Sequence, residues 1–198
     1  MVRRFMAFGV IAAALVFTTA HAEVYKFDKA HTNIGFSVRH MTISQVKGHF
    51  SDFSGSVDYN DPDPTKSAIE LTIQTASIST DNERRDGHLK SPDFFAADSF
   101  PTITFKSTKI VSTGTDKYDV TGDLTMRGVT KPVTLSIEIT GKIDDKMMGK
   151  RFGFTATGKL NRQDWGVSWS HTLDTGGLVA GNEITLLLDG EAAVPREQ

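Results

Sequence analysis

The chain contains no cysteine. Disulfide frameworks, thiolate nucleophiles, Cys-based metal sites and lipid attachment to cysteine are therefore excluded, and stability has to come from a buried core. Neither sign of charge dominates, with 22 Lys+Arg against 24 Asp+Glu. That balance gives no reason to expect nucleic acid or an anionic membrane as partner. A Gly-rich phosphate loop is missing, as are a Gly-x-Ser-x-Gly elbow and a helical His pair. Long apolar runs are also lacking, apart from one near the start. Met1-Val2-Arg3-Arg4 forms a cationic head, Phe5 to Ala20 carries no charge, and Ala20-His21-Ala22 follows. This is the pattern of a cleaved secretion signal, and the run falls short of the ~20 apolar residues of a spanning helix. Two parts are expected: a leader over 1–22 and one domain over 23–198, exported and not inserted in a membrane.

What the chain does have is alternation with period two, the signature of strands with one wet face and one dry face. Ile34, Phe36 and Val38 alternate with polar or small neighbours, and so do Ile69, Leu71 and Ile73. Tyr118 to Met126, Val133 to Ile139, Phe152 to Leu160 and Ile184 to Leu188 continue the pattern. Turn signals separate the runs at Asn60–Pro64, Thr113–Asp116, Arg127–Thr130, Asp144–Gly149 and Asp174–Gly181. Eight or nine one-faced strands with short connections must either close into a barrel or split into two layers. An eight-stranded barrel has an interior that side chains fill or that admits one slender ligand, about 25 Å deep for strands of this length. Gly122, Ala156 and Gly158 are small residues at inward positions, so the interior need not be packed solid; Trp at Gly122 or Ala156 overpacks a solid core and is accommodated only by an empty cavity.

The rhythm fails from Thr80 to Ala97. Thr80-Asp81-Asn82-Glu83 has capping-box spacing, and Ser91-Pro92 reads as the start of a second helical turn. Phe94, Phe95 and Phe100 then close one end of the sheet. The histidines after the leader, His31, His40, His49, His88 and His171, show no metal-binding spacing, so each reads as a loop or rim residue and no metal is expected. His88 lies beside Arg84, Arg85 and Asp86, where a carboxylate can orient the imidazole. The simpler reading is that Asp86 and the arginines pin the helical turn. Trp165, Val167 and Trp169 read as core, with a ligand-contacting wall as the alternative.

Taken in order, several segments resemble the YceI-like family of polyisoprenoid-binding, lipocalin-like proteins. They are Asp28 to Val38, Gly48-His49-Phe50, Phe53-Ser54-Gly55, Ser77 to Thr80, Arg85-Asp86-Gly87-His88-Leu89, Asp93-Phe94-Phe95, Phe100-Pro101, Gly122 to Val133 and Asn161 to Gly166. The resemblance covers nearly the whole chain after the leader. It implies an all-β, extended lipocalin-like eight-stranded antiparallel β-barrel with short helical turns at one end. It also implies a long-chain isoprenoid lipid, a polyprenyl chain or isoprenoid quinone, carried in the periplasm without a cofactor and without catalysis. Phe36, Val38, Ile73, Phe105, Leu124, Leu135, Phe154 and Trp169 are then the wall residues, Phe94 and Phe95 the cover, and Arg85, Asp86 and His88 the head-group residues. Thr32 and Trp165 stand where the family often has Ser and Phe, and an inward Trp165 would shorten the cavity. The rival readings are a lipid-processing or metal-dependent hydrolase using His88 and Asp86, and a β-sandwich module with a solid core. Partner expectations are the lipid itself and no nucleic acid, with a homodimer as the alternative to a monomer.

Overall fold

Alternation along the sequence becomes alternation in burial. In β8 (Lys117–Met126), Val120, Gly122 and Met126 are buried while Lys117 and Asp123 are exposed. A computed structural model describes residues 23–174 and 176–196; the leader expected over 1–22 lies outside the described residues. The strands before β8 are β1 (Glu23–Phe27), β2 (Asn33–His40), β3 (Ser44–Phe50), β4 (Phe53–Tyr59), β5 (Ala68–Gln74), β6 (Ile78–Ser79) and β7 (Thr102–Gly114). After it come β9 (Val129–Asp145), β10 (Gly149–Asn161) and β11 (Ala180–Ala193). Between β6 and β7 lies α1 (Glu83–Lys90).

These segments form eight rods. Residues 28–32 interrupt β1/β2, Ser51-Asp52 interrupts β3/β4, and a 3-10 turn, Thr75–Ser77, interrupts β5/β6. β1 pairs with β4 and β2 with β3, while β5 and β6 pair with β4 and β3 respectively. Every pairing is antiparallel, and the sheet closes because β11 pairs with β10 on one edge and with both β1 and β2 on the other. Closure removes the free edges that a one-faced sheet of this size would otherwise expose. The expected barrel is present, with turns at the five places the sequence marks.

Two local expectations are corrected around α1. The cap is Asn82, whose side chain accepts from the Arg85 N–H at 3.0 Å, and not Thr80. Ser91-Pro92 does not begin a helix. Proline disfavours helical geometry in the residue before it, so Ser91 is extended (φ −70°, ψ 169°) and ends α1. The segment folds back instead: the N–H groups of Phe95 and Ala97 donate to the carbonyls of Leu89 and Lys90, and Ala96 has φ of 47°.

Candidate ligand-binding site

The inward side chains do not meet across the barrel. A cavity of about 380 Å³ runs inside it, lined almost wholly by apolar groups. The solid-core sandwich is thereby excluded. β10 shows the span, since Phe152, Phe154, Ala156, Leu160 and Arg162 just beyond its end all line the cavity. From Phe152 to Leu160 the strand rises about 26 Å, or about 20 Å along the axis at a tilt near 40°. All eight expected wall residues line it: Phe36, Val38, Ile73, Phe105, Leu124, Leu135, Phe154 and Trp169.

One end is stoppered by aromatic rings. Tyr25, Tyr59 and Phe152 are buried, with centroids 5.0 to 5.9 Å apart. Lys142 Nζ donates to Tyr59 Oη at 2.6 Å and lies 4.8 Å from the ring centroid, and Tyr118 lines the cavity nearby. Burial raises the Tyr118 phenol above its ordinary value, so the neutral hydroxyl is kept.

At the other end, the cavity is bordered by α1, the segment that follows it and the start of β11. Phe94 and Phe95 line it as expected, and Phe94 lies 5.3 Å from Trp169. His88 meets both rings edge-on, at 5.0 and 5.2 Å. Arg127, on the β8–β9 turn, donates to the carbonyls of Pro92 and Phe94 and fixes this cover. The exposed side chains of Arg39 and His88 mark where the cavity meets solvent.

The three expected head-group residues separate. Arg85 and His88 line the cavity, whereas Asp86 does not. Asp86 Oδ1 accepts from the Thr80 N–H (2.8 Å) and hydroxyl (2.5 Å), and Arg85 donates to the Thr80 hydroxyl and carbonyl at 2.7 and 2.8 Å. Asp86 and Arg85 thus pin the turn ahead of α1, as the simpler reading had it. The carboxylate on His88 is Asp93, 2.8 Å from Nε2, so the His88–Asp86 pair required by the hydrolase reading does not form. Helical geometry explains the separation: residues two apart do not face each other.

Other inward positions are filled or displaced. Trp165 is 2% exposed but lies outside the cavity lining, with its Nε1 donating to the Leu124 carbonyl at 3.0 Å. It does not shorten the cavity. Gly122 and Gly158 are not vacant either: a Cβ at Gly122 would stand 2.4 Å from the Phe105 ring, and one at Gly158 2.7 Å from Leu135. Cross-strand side chains already occupy the space that the sequence alone assigned to the cavity.

Arg162 was not among the expected site residues. Its side chain is 4% exposed and donates to the carbonyls of Gly181, Val167 and Ala180 and to Asn182 Oδ1. Burial lowers its pKa, and among the described residues no carboxylate forms an ion pair with it. It and His40 continue the inward parity of Leu160 and Val38, the signal that identifies them. His40 Nδ1 donates to the Val179 carbonyl at 2.9 Å. Away from the cavity, Asp28, His31 and Glu191 bring ligand-type atoms within 4.8 Å of one another. The Arg151 guanidinium lies 2.9 Å from Glu191 and 4.0 Å from Asp28, so a cation already serves these carboxylates.

Comparison with known proteins agrees with this geometry. A family model described as the YceI-like domain matches residues 25–192. Protein YceI of Salmonella newport (strain SL254) is 39% identical over 187 residues, covering 92% of this chain and 94% of its own length. The crystal structure of the Campylobacter jejuni YCEI protein superposes with a TM-score of 0.68 at 35% identity, covering 86% of this chain and 96% of that one. A polyisoprenoid binding domain from Saccharophagus degradans superposes with a TM-score of 0.63 at 15% identity, covering 88% of this chain and 100% of that one, a likeness of fold.

Proposed function

This chain belongs to the YceI-like family, and from that premise we propose that it is a periplasmic carrier for one long-chain isoprenoid lipid, a polyprenyl chain or isoprenoid quinone. The observation that carries this reading is the cavity: almost wholly apolar along its length, closed at one end by Tyr25, Tyr59 and Phe152, and bordered by the charged side chains of Arg39, Arg85 and His88 at the other. A slender hydrocarbon matches that shape, and each buried methylene contributes roughly 0.8 kcal/mol before the costs of ordering are subtracted. Binding one structural neighbour's namesake ligand, a polyisoprenoid, is consistent with the same shape. The head group lies at the end bordered by Arg39, Arg85 and His88, where charge-assisted hydrogen bonds are available to a phosphate and ordinary ones to a quinone oxygen. Binding is favoured over catalysis because the cavity is lined almost wholly by apolar side chains and, among the described residues, no hydroxyl is hydrogen-bonded to the His88 ring. Periplasmic residence rests on the leader pattern.

Native mass spectrometry of protein extracted gently from its own host tests the proposal. A copurified adduct with the mass of an isoprenoid lipid is expected. Protein that is consistently empty and takes up no polyprenyl lipid offered in detergent overturns it.

A further inference from the structure

The β2–β3 hairpin stands at the polar end of the cavity. Its tip, Met41-Thr42-Ile43, carries two of the chain's exposed large apolar side chains, with Ile43 81% and Met41 39% accessible. The tip is continuous with the cavity, since Val38, Arg39 and His40 line it immediately before Met41. The Met41 N–H is fastened to the Val179 carbonyl of the facing loop at 2.9 Å.

The backbone of this turn is costly. The Ile43 N–H closes onto the His40 carbonyl at 3.1 Å, which makes Met41 and Thr42 the central residues, and their φ values are 49° and 65°. Two successive positive φ angles favour Asn-Gly, and a β-branched residue tolerates them poorly. Strain retained at an exposed tip points to a use for the side chains it displays.

Charge identifies the occupant. From Lys29 to Ser51 the chain has no acidic residue, while Arg39 near the tip and Lys47 further along β3 are exposed, against the single acid Asp174 in the loop that faces the tip. The near-balanced total conceals this local excess of positive charge. Exposed apolar residues flanked by cations match the interface of an anionic bilayer. The opposite end of the barrel also has an apolar hairpin, with Ile143, Met147 and Met148 exposed and Lys142, Lys146 and Lys150 beside Asp144 and Asp145, but that end is closed by the Tyr25, Tyr59 and Phe152 rings and offers no mouth to a bilayer.

We propose that the Met41-Thr42-Ile43 tip docks the cavity mouth on an anionic phospholipid surface, so that lipid passes between bilayer and barrel without crossing water. The proposal rests on the carrier reading, and its test separates the two. Flotation with vesicles of phosphatidylethanolamine and phosphatidylglycerol reads docking whether or not cargo is bound. The parent protein is expected to float with them. Ile43→Ser combined with Met41→Asn and Thr42→Gly should cut adsorption at least tenfold, and Lys47→Gln alone about fivefold in low salt. Met41→Asn with Thr42→Gly should at the same time raise the unfolding midpoint, which distinguishes lost docking from a damaged fold. None of these residues lines the cavity, so uptake of polyprenyl lipid from detergent should be unchanged. A parent that does not float, or a triple variant that floats equally well, overturns docking. Failure of the parent to take up lipid from detergent overturns the carrier reading, whatever the flotation result.

Discussion

At Gly122 the absent side chain is replaced by a neighbour's. Phe105, on β7, lays its ring where a Cβ would stand, and the Lys106 carbonyl is 2.6 Å from the same point. Gly122→Ala should therefore destabilise the barrel by roughly 1–3 kcal/mol through overpacking, read as a drop of about 3–10 °C in the unfolding midpoint. An unchanged midpoint would mean that the ring moves aside freely. The exposed Asp28–His31 pair governs a pH effect instead. Its hydrogen bond to Asp28 holds His31 above the ordinary 6.5, and the same bond holds Asp28 below 3.8. The His31 contribution to stability is present below 6.5 and disappears as pH rises through its raised value, whereas that of Asp28 is present above 3.8 and disappears as pH falls through its lowered value. Parent and His31→Gln should differ most in thermal stability at about pH 5.5 and converge by about pH 9. An equal difference at both pH values would assign the effect to packing.

α1 and the folded-back segment after it act as one cover, held from a distance by the β8–β9 turn. Arg127 reaches the carbonyls of Pro92 and Phe94 and lies 5.9 Å from the Phe100 ring centroid. Backbone bonds from Phe94, Phe95, Ala96 and Ala97 tie the segment to the end of α1, and Arg127 is what fastens it to the barrel wall. Arg127→Ala should cost about 1–3 kcal/mol and speed release of a bound fluorescent polyprenyl lipid several-fold, with Phe94 no longer anchored. Faster unfolding with no change in lipid release would separate Arg127 from the cover.

Across the whole molecule, closure and hollowness are coupled. Eight rods set a diameter that side chains can fill or that holds one slender ligand, and here the inward residues line a bore and supply both core and binding wall. Ala156 lies midway along β10, 2% exposed and lining the cavity. Unlike Gly122, it already has a Cβ in the structure. Ala156→Trp should leave a folded barrel, by circular dichroism, that retains less than a tenth of the parent's capacity for long polyprenyl lipids. Full capacity in that variant would place the lipid elsewhere.

Period-two alternation and turn chemistry determined the strands and their inward faces, and left a closed barrel and a two-layer sandwich as alternatives, because side-chain direction along a strand is a local property of the backbone. The same parity places Phe36, Val38, Ile73, Leu124, Leu135 and Phe154 on inward faces, and carried two residues further it reaches His40 and Arg162; Phe105 and Trp169 enter as wall residues only through the family resemblance. Tertiary structure alone decided between barrel and sandwich, through the pairing of β11 with β1 and β2, and settled what parity leaves open. Asp93 engages His88 because the chain turns back after Ser91, and Phe105 covers Gly122 from the neighbouring strand. Trp165 leaves the bore to bond the Leu124 carbonyl, and Tyr25, Tyr59 and Phe152 converge on one end from three strands. Each of these depends on groups distant in sequence meeting through space, which register and closure fix and local pattern does not.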